Sequence, residues 1–349
     1  MTQPLTRRLQ LCTLRNRLMQ LPESLPGLLA SSASDSRRVI MLASFAAVYF
    51  FWGSTYLAIH YAIETIPPFL MAGIRFLMAG VILYLWSRAR GAPRPGLIHL
   101  RTAAITGGLM FLAGNGVLGW AEQYVPTGLA ALLVATVPLW VVVLTAIGDR
   151  RLPSRTVSAG VLMGLAGILL LVGPGNVGGA QAIDERMAVL GAGAIVFAAL
   201  SWAMGTLYSR RSPRPTAGTM AIALDLLAGG VLLFLFAALN GEWSRFDPTG
   251  VSLKSWLAVT YLVVFGSLVG YSAYMWLVRE TTPTQASSNF YVNPVVAVVL
   301  GWLLAGELLT PRMLVAATII VAAVALIVTR RGRQATAQSR TAQAQRRAS

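Results

Sequence analysis

The stretch that decides the fold is PPFLMAGIRFLMAGVILYLW, residues 67–86, which is apolar for the length of a bilayer crossing apart from one charge, Arg75. Twenty helical residues rise about 30 Å, which is the thickness of a hydrocarbon core. An arginine at that depth costs at least about 2.5 kcal/mol, so its side chain should face the protein interior or a water-filled cavity. The stretch therefore predicts a membrane span whose arginine has an acceptor inside the protein.

A second charge inside an apolar stretch indicates an internal duplication. Asp225 lies within TAGTMAIALDLLAGGVLLFLF, residues 216–236, and is the one other charge deep inside a predicted span. When AGV at 79–81 is aligned with GGV at 229–231, Arg75 falls on Asp225. The sequence therefore reads as two copies with opposite charges at equivalent positions. Further aligned pairs are Trp52 with Trp202 and Pro138 with Pro294.

The composition excludes an ordinary soluble domain. The 349 residues are 56% hydrophobic and 11% charged, with positive mean hydropathy, whereas about a quarter of the residues in soluble domains are charged. The net charge of +16 does not predict nucleic-acid binding, because the arginines lie in short loops and two tails rather than on one basic face. The single cysteine, Cys12, excludes an intrachain disulfide.

Hydropathy and loop charge predict the topology. Of the 28 basic residues, 23 lie in segments that are cytoplasmic if the N-terminus is cytoplasmic, and four lie in the opposite loops. Both termini are therefore predicted inside. Since each half has five spans, the second half should enter the membrane from the opposite side, as in many secondary transporters. The ten predicted spans are residues 39–63, 67–86, 102–121, 126–147, 157–174, 187–208, 217–239, 254–278, 283–304 and 311–329.

The predicted fold class is thus an all-α polytopic membrane protein with ten transmembrane helices in two inverted five-helix repeats. We expect a bacterial inner-membrane location. The predicted parts are a basic cytoplasmic extension (1–38), a first repeat (39–174), a second repeat (187–329) and a disordered cytoplasmic tail (330–349).

Motifs for enzymatic chemistry are absent from the sequence. It contains no G-x-x-x-x-G-K-[ST] phosphate loop, and its G-x-G-x-x-G at Gly114 lies in mid-span with no preceding strand. Its two histidines, His60 and His99, are separated by a whole span, which favours neither a metal site nor a catalytic triad. We predict no cofactor, no metal, no catalytic residue and no enzyme.

Polar and aromatic residues at helical spacing predict a substrate site. Tyr49, Trp52 and Tyr56 share one face of the first span, which suits an aromatic or amphipathic substrate or plain helix packing. Asn289 and Asn293 share a face of the ninth span, where amides facing lipid would be costly. The remaining candidates are Thr55, Arg75, Asn115, Trp202, Tyr271 and Tyr274.

Two carboxylates and two prolines have candidate roles in movement. Asp225 is a candidate to carry a coupling proton, or else it forms a static ion pair, with Arg75 as the aligned charge, or a hydrogen-bond anchor between helices. Glu122, near the end of the third span, is the other coupling candidate, with a solvated surface carboxylate as the alternative. Pro138 and Pro294 each remove a donor from mid-helix, so they are either hinges or simple kinks.

Three segments resemble the EamA family of the drug/metabolite transporter superfamily. They are FFWGSTYLAIHYAIETIPPFLMAGIRFLMAG (50–80), GNGVLGWAEQYVPTGLAALLVATVPLW (114–140) and YVNPVVAVVLGWLLAGE (291–307). The resemblance implies a ten-helix inverted repeat with a central cavity and efflux of small metabolites or drugs. It departs from the family at Asp149, which arginines follow instead of a Leu-rich turn. The matching positions are Trp52, Gly53, Ser54, Thr55, Arg75, Asn115, Glu122, Pro138, Asn293, Pro294 and Glu307.

The sequence thus predicts a secondary exporter that works by alternating access, with a small-molecule substrate, a proton as coupling ion and the bilayer as its partners. It should act as a monomer or homodimer. A proton-independent exchanger of anionic or amino-acid metabolites is the first alternative, and a polytopic membrane enzyme or sensor is the second.

Overall fold

The structure, a computed structural model, describes residues 37–150, 152–172, 185–281, 285 and 288–348, with side chains except at 278–279 and 330–348. These residues belong to two units, the first of which ends at Ala46 and is helical over 37–46. The second unit, from Ala47 onward, contains every helix discussed below. The predicted extension lies outside the described residues up to residue 36, and so does the junction of the predicted repeats at 173–184.

All regular structure in the described part of the second unit is helical. A short helix, Glu242–Arg245, and a 3-10 turn, Pro248–Gly250, join the seventh long helix to the eighth. The long helices are α1 (Val48–Trp52 and Gly53–Ala62), α2 (Pro68–Ala89), α3 (Leu97–Gly107, Gly108–Gly116 and Val117–Ala121), α4 (Thr127–Val134 and Val137–Asp149), α5 (Arg155–Val172), α6 (Glu185–Arg211), α7 (Gly218–Leu239), α8 (Leu253–Tyr261, Leu262–Val269 and Gly270–Glu280), α9 (Asn289–Leu304) and α10 (Pro311–Ala348).

Within the described residues, eight helical stretches are long and apolar enough to cross a membrane. They are α2, α3, α4, α6, α7, α8, α10 and the stretch Arg37–Ala62, which contains α1. The helices α5 and α9 are apolar but shorter. The all-helical prediction is therefore confirmed for the described residues, and the count of ten spans stays a prediction.

Three of these helices contain a π-helical segment. The π segments are Val48–Trp52 in α1, Gly108–Gly116 in α3 and Leu262–Val269 in α8. A π segment breaks the regular i to i−4 ladder and so changes which backbone carbonyls can accept from other groups. All three segments contain or adjoin residues of the predicted substrate site.

The helices α2 and α7 pack closely and run antiparallel. Phe234 lies against Gly73, and seven residues along α2 Leu227 lies against Gly80. Residue numbers therefore rise along α2 as they fall along α7, so the two helices are antiparallel. The contact is also reciprocal, because Leu77 lies against Gly230 as Leu227 lies against Gly80. Glycine permits this approach, since a Cβ on Gly230 would stand 2.7 Å from Leu77 Cγ.

The helices α5 and α10 repeat this arrangement. Gly160, Gly164 and Gly167 of α5 contact Ile327, Ala323 and Ile320 of α10, in that order. The order descends along α10 while it ascends along α5, so this pair is also antiparallel. Small residues at the interface allow the close packing that replaces hydrophobic driving force inside a membrane.

The two aligned prolines have different consequences. The helix α4 is interrupted at Ala135 and Thr136, just before Pro138, and Thr136 Oγ1 donates to Leu133 O at 2.6 Å. The helix α9 continues through Pro294 from Asn289 to Leu304. Only the first proline therefore coincides with a break in the helix, and the hinge roles stay predictions.

The polar tail, for which the sequence predicts disorder, is helical as the continuation of α10 to Ala348. Its alanine, glutamine and arginine residues are good helix formers, and no proline interrupts it.

Candidate functional site

Arg75 lies inside the helix bundle, with 6% of the residue exposed. Its Nε donates to Ser267 Oγ at 3.2 Å, and its Cζ lies 4.8 Å from the centroid of the Phe76 ring. A Cβ added to Gly266 would stand 3.1 Å from Arg75 Nη2 and 3.0 Å from Thr55 Cγ2. Glycine at this position therefore lets the guanidinium lie against the backbone of α8.

Three aromatic rings form a group where α1 meets the stretch of α8 that this guanidinium contacts. The Trp52 ring centroid is 5.4 Å from that of Tyr271 and 5.0 Å from that of Tyr274. All three residues are partly exposed rather than buried, and Tyr271 interacts electrostatically with Arg75. We call Trp52, Thr55, Arg75, Ser267, Tyr271 and Tyr274 the Arg75 cluster. The sequence predicted five of its members, all except Ser267, as binding residues.

The π segments hold this cluster in place. Trp52 Nε1 donates to Gly266 O, within the π segment of α8, at 3.0 Å, and Thr55 Oγ1 donates to Trp52 O at 2.6 Å. A Cβ on Gly270 would stand 2.4 Å from Trp52 Nε1, so the indole lies directly on the α8 backbone. The indole position thus depends on a backbone carbonyl, which sequence spacing does not reveal.

The second predicted tryptophan has an equivalent setting on α3. A Cβ added to Gly114 would stand 3.1 Å from Trp202 Cε3. The neighbouring Ser201 Oγ donates to Leu109 O at 2.8 Å. The Phe111 ring lies between Trp202 at 5.9 Å and Phe76 at 4.7 Å. Aromatic contacts therefore connect Trp202 to the residue adjacent to Arg75.

Asp225 does not pair with Arg75 in the described residues, so the ion pair that the sequence suggested is wrong. Its Oδ2 accepts from Arg214, and its Oδ1 accepts from Thr106 Oγ1. Arg214 belongs to the connection between α6 and α7, and its long side chain reaches the carboxylate two turns into α7. Asp225 is thus held by an ion pair at one end of the bundle.

Glu122 is buried, with 2% of the residue exposed, so the alternative of a solvated surface carboxylate is wrong. Neither of its oxygens has a hydrogen-bond partner among the described residues. It interacts electrostatically with Arg75, Tyr56 and Glu307. A buried carboxyl without a partner is costly, and such groups inside membrane proteins are typically functional.

The amides of α9 are also buried, at 4% exposure for Asn289 and 8% for Asn293. The Oδ1 atoms of both lack hydrogen-bond partners within the described part of the chain. The helix packs on α1, where a Cβ on Gly53 would stand 3.1 Å from Asn293 O, and Tyr49 OH lies 2.5 Å from Ser288 Oγ. Asn115 on α3 donates to its own helix, at Met110 O, at 3.3 Å.

Glu307 caps the first turn of α4. Its Oε1 accepts from Thr127 N at 2.5 Å and Thr127 Oγ1 at 2.7 Å, and its Oε2 accepts from Gly128 N at 3.0 Å. Pro126 precedes the helix and supplies no side-chain cap, so the remote carboxylate satisfies the free N–H groups. The predicted site residues thus fall into the Arg75 cluster, the unpaired groups of Glu122, Asn289 and Asn293, and the separate Asp225 pair.

Comparison with known proteins gives the family. The model of the EamA-like transporter family matches the chain twice, over residues 39–173 and 189–329. An uncharacterized inner membrane transporter of Escherichia coli (strain K12), YedA, is 42% identical over 285 residues, which are 80% of this chain and 88% of that protein. The uncharacterized transporter YoaV of Bacillus subtilis (strain 168) is 26% identical over 81% of this chain and 94% of its own length.

A solved structure, described as a crystal structure of protein, has the same fold with a TM-score of 0.56 at 24% identity. The match covers 84% of this chain and 99% of the other. The names of the relatives indicate a transporter rather than an enzyme, and together with the apolar helices they indicate a multi-pass membrane protein.

Proposed function

Because this chain belongs to the EamA-like transporter family, we propose that it exports small metabolites or drugs across a bacterial inner membrane by alternating access. The observation that carries the proposal is the Arg75 cluster, in which a buried guanidinium and the Trp52 indole both lie on the backbone of α8 at Gly266, next to Tyr271, in the interior of a membrane protein. Intramembrane charges are retained at a cost and typically mark a substrate path.

We propose that ten spans form two inverted repeats, with α5 and α9 as the two shorter crossings and both termini in the cytoplasm. The family model matches two halves of similar length. The aligned helices α2 and α7 pack antiparallel, which is the relation expected of inverted copies. The aligned tryptophans support it too, since Trp52 lies on Gly270 of α8 and Trp202 lies on Gly114 of α3. Each half thus places its tryptophan on a helix of the other half. We propose a monomer or homodimer.

In the proposed mechanism the aromatic rings hold the apolar body of the substrate. Trp52, Tyr271 and Tyr274, which are partly exposed, make this contact, with Tyr49 and Tyr56 farther along α1 and Trp202 on α6. Arg75 donates to the polar end of the substrate, since Nε alone of its nitrogens has a partner among the described hydrogen bonds. The unpaired amide oxygens of Asn289 and Asn293 accept from the polar end of the substrate, and Asn115 on α3 is a further polar contact.

Of the two coupling candidates we favour Glu122 over Asp225. Both Asp225 oxygens already accept hydrogen bonds, one of them from a guanidinium, so protonation would break an ion pair. Glu122 has no such bonds to lose, and it interacts electrostatically with the substrate-site cation Arg75. Proton uptake at Glu122 would therefore remove a negative charge near Arg75 and so change the affinity of the Arg75 cluster for substrate.

Two alternatives remain. A proton-independent exchanger would use Arg75 as an anion site with no coupling carboxyl. A polytopic membrane enzyme or sensor would need clustered catalytic or ligating groups, and no group of three His, Cys, Asp or Glu side chains suited to a metal occurs in the searched part of the chain.

The test begins with resistance of an overexpressing strain to a panel of toxic amino acids and drugs. A substrate is a compound to which the wild-type protein confers resistance and an equally expressed Arg75→Ala variant does not. Its uptake is then measured in everted inner-membrane vesicles with and without an imposed pH gradient. We expect uptake by the wild type to follow the gradient, uptake by Glu122→Gln to be independent of it, and Asp225→Asn to retain the dependence if it folds.

Uptake that persists in the wild type after the gradient is collapsed would favour the exchanger. Gradient-driven uptake by Glu122→Gln equal to that of the wild type would contradict the role of Glu122. Resistance by Arg75→Ala equal to that of the wild type across the whole panel would contradict the proposed substrate site.

A further inference from the structure

A groove runs between α1 and α8 on the side of the bundle away from the Arg75 cluster. Its volume is about 310 Å³, and its lining is almost entirely apolar. Pockets that enclose drug-sized ligands span about 300–1,000 Å³ and are mostly enclosed, whereas this one is small and open at the side. The lining residues are Ser54, Leu57, Ala58, Tyr61, Lys254, Leu257, Ala258 and Tyr261.

The deep end of the groove offers no free polar group. Ser54 Oγ and Tyr261 OH bond to each other at 2.6 Å, so each satisfies the other. Beyond them the Phe51 and Phe265 rings stack with centroids 4.8 Å apart, and Phe265 is exposed on the same surface. Leu257, on the rim, is 61% exposed. This surface belongs to helices that cross the bilayer, so its exposed apolar side chains face lipid chains.

The mouth of the groove carries paired charges of opposite sign. Lys254 Nζ lies 2.6 Å from Glu64 Oε1 and 3.8 Å from the centroid of the Tyr61 ring. The side chains of Lys254 and Glu64 are 51% and 37% exposed. Lys254 is also the one lysine in the whole sequence. An ammonium and a carboxylate therefore stand side by side where α1 ends and α8 begins, which the proposed topology places among the lipid head groups.

We propose that this groove binds one phospholipid with an ethanolamine head group. The Lys254 ammonium would donate to the lipid phosphate, and the Glu64 carboxylate would accept from the lipid ammonium. One acyl chain would lie along Leu57, Ala58 and Leu257 toward the stacked rings. A lipid with a net negative head group fits less well, because the carboxylate of Glu64 stands beside the only cation at the mouth and repels a second negative charge.

The test uses delipidated full-length protein and native mass spectrometry with phosphatidylethanolamine, phosphatidylcholine and phosphatidylglycerol of identical acyl chains. We expect the ethanolamine lipid to bind at least about fivefold more tightly than the glycerol lipid, as expected for one added charge contact. Phosphatidylcholine should fall between them, because its quaternary ammonium has no N–H to donate to Glu64. Glu64→Ala should abolish the preference, Lys254→Ala should weaken binding of all three lipids because the phosphate loses its donor, and Lys254→Arg should keep both binding and preference.

Two further variants separate the groove from the rest of the surface. Leu257→Trp should fill the groove and reduce binding of all three lipids, because Leu257 lies on its exposed rim. Arg245→Ala is the matched control, since this exposed cation donates to backbone carbonyls at Gly241 and Asn240 and does not line the groove. Equal binding of the three lipids by the wild type, or an unchanged preference in Glu64→Ala, would overturn the proposal.

Discussion

Glu307 accepts three hydrogen bonds from the first turn of α4, although it lies 180 residues later in the chain. Gly301 leaves space for the Glu307 carboxylate, because a Cβ at position 301 would stand 2.5 Å from it. The cap thus depends on a remote carboxylate, on a proline that leaves the helix start uncapped and on a glycine that makes space. These bonds hold the first turn of α4 against the loop between α9 and α10.

We expect Glu307→Ala to lower the free energy of unfolding by about 1–2 kcal/mol, the usual cost of a lost helix cap. Glu307→Gln keeps one acceptor oxygen and should lose less. Asp149→Ala is the matched control, because Asp149 aligns with Glu307 but is exposed and contacts Arg211 at 3.5 Å. Its effect should stay within about 0.5 kcal/mol. The melting temperatures of the three variants in detergent measure this, and equal losses in Glu307→Ala and Asp149→Ala would contradict the cap.

The ion-pair partner of Asp225 could not be predicted from the sequence. Two intramembrane charges of opposite sign at aligned positions suggested a pair with Arg75. The loop arginine Arg214 was counted with the cytoplasmic charges, because a sequence gives its position but not the reach of its side chain. Arg214 donates to one oxygen of the Asp225 carboxylate, and Thr106 donates to the other.

At the scale of elements, hydropathy predicted where the helices lie but not where they depart from regular α-helical geometry. The predicted span 67–86 corresponds to α2, Pro68–Ala89, because prolines begin it and apolar residues continue it. The π segments of α1, α3 and α8 were not predicted, because no residue type marks them. In α8 the π segment contains Gly266, whose carbonyl accepts from Trp52 of another helix.

The close packing of α2 on α7 gives a prediction for one element pair. A Cβ on Gly230 would stand 2.7 Å from Leu77 Cγ and 2.9 Å from Leu77 N, so the backbone of α2 would have to move. We expect Gly230→Ala to destabilise the protein by about 1–3 kcal/mol, as overpacking usually does. Gly193→Ala on α6 is the control, since a Cβ there meets no atom within 4 Å.

The control variant should melt at the wild-type temperature or slightly above it, because alanine favours a helix over glycine. Thermal unfolding of both variants in the same detergent measures the difference. A Gly230→Ala protein as stable as Gly193→Ala would show that the two helices are not held at this distance in the membrane.

At the scale of the whole molecule, the reciprocal contacts carry more weight than the sequence alignment that suggested them. The alignment placed Gly80 on Gly230 and Trp52 on Trp202, yet it gave no direction for either copy. In the structure the aligned helices run in opposite senses along each other, and each tryptophan lies on a glycine of the other half. An interface in which equivalent residues exchange contacts is the pattern of a two-fold relation.

That relation predicts which loops share a side of the membrane. The connection after α2 contains Arg94, and the equivalent connection after α7 contains Ser244, both exposed. In inverted repeats these equivalent loops must face opposite compartments. In a Cys12→Ser background, Ser244→Cys should react with a membrane-impermeant maleimide in intact spheroplasts, and Arg94→Cys should react only after lysis. Labelling of Arg94→Cys alone would reverse the proposed orientation but keep the inversion. Equal labelling of both positions before lysis would contradict the inverted repeat itself.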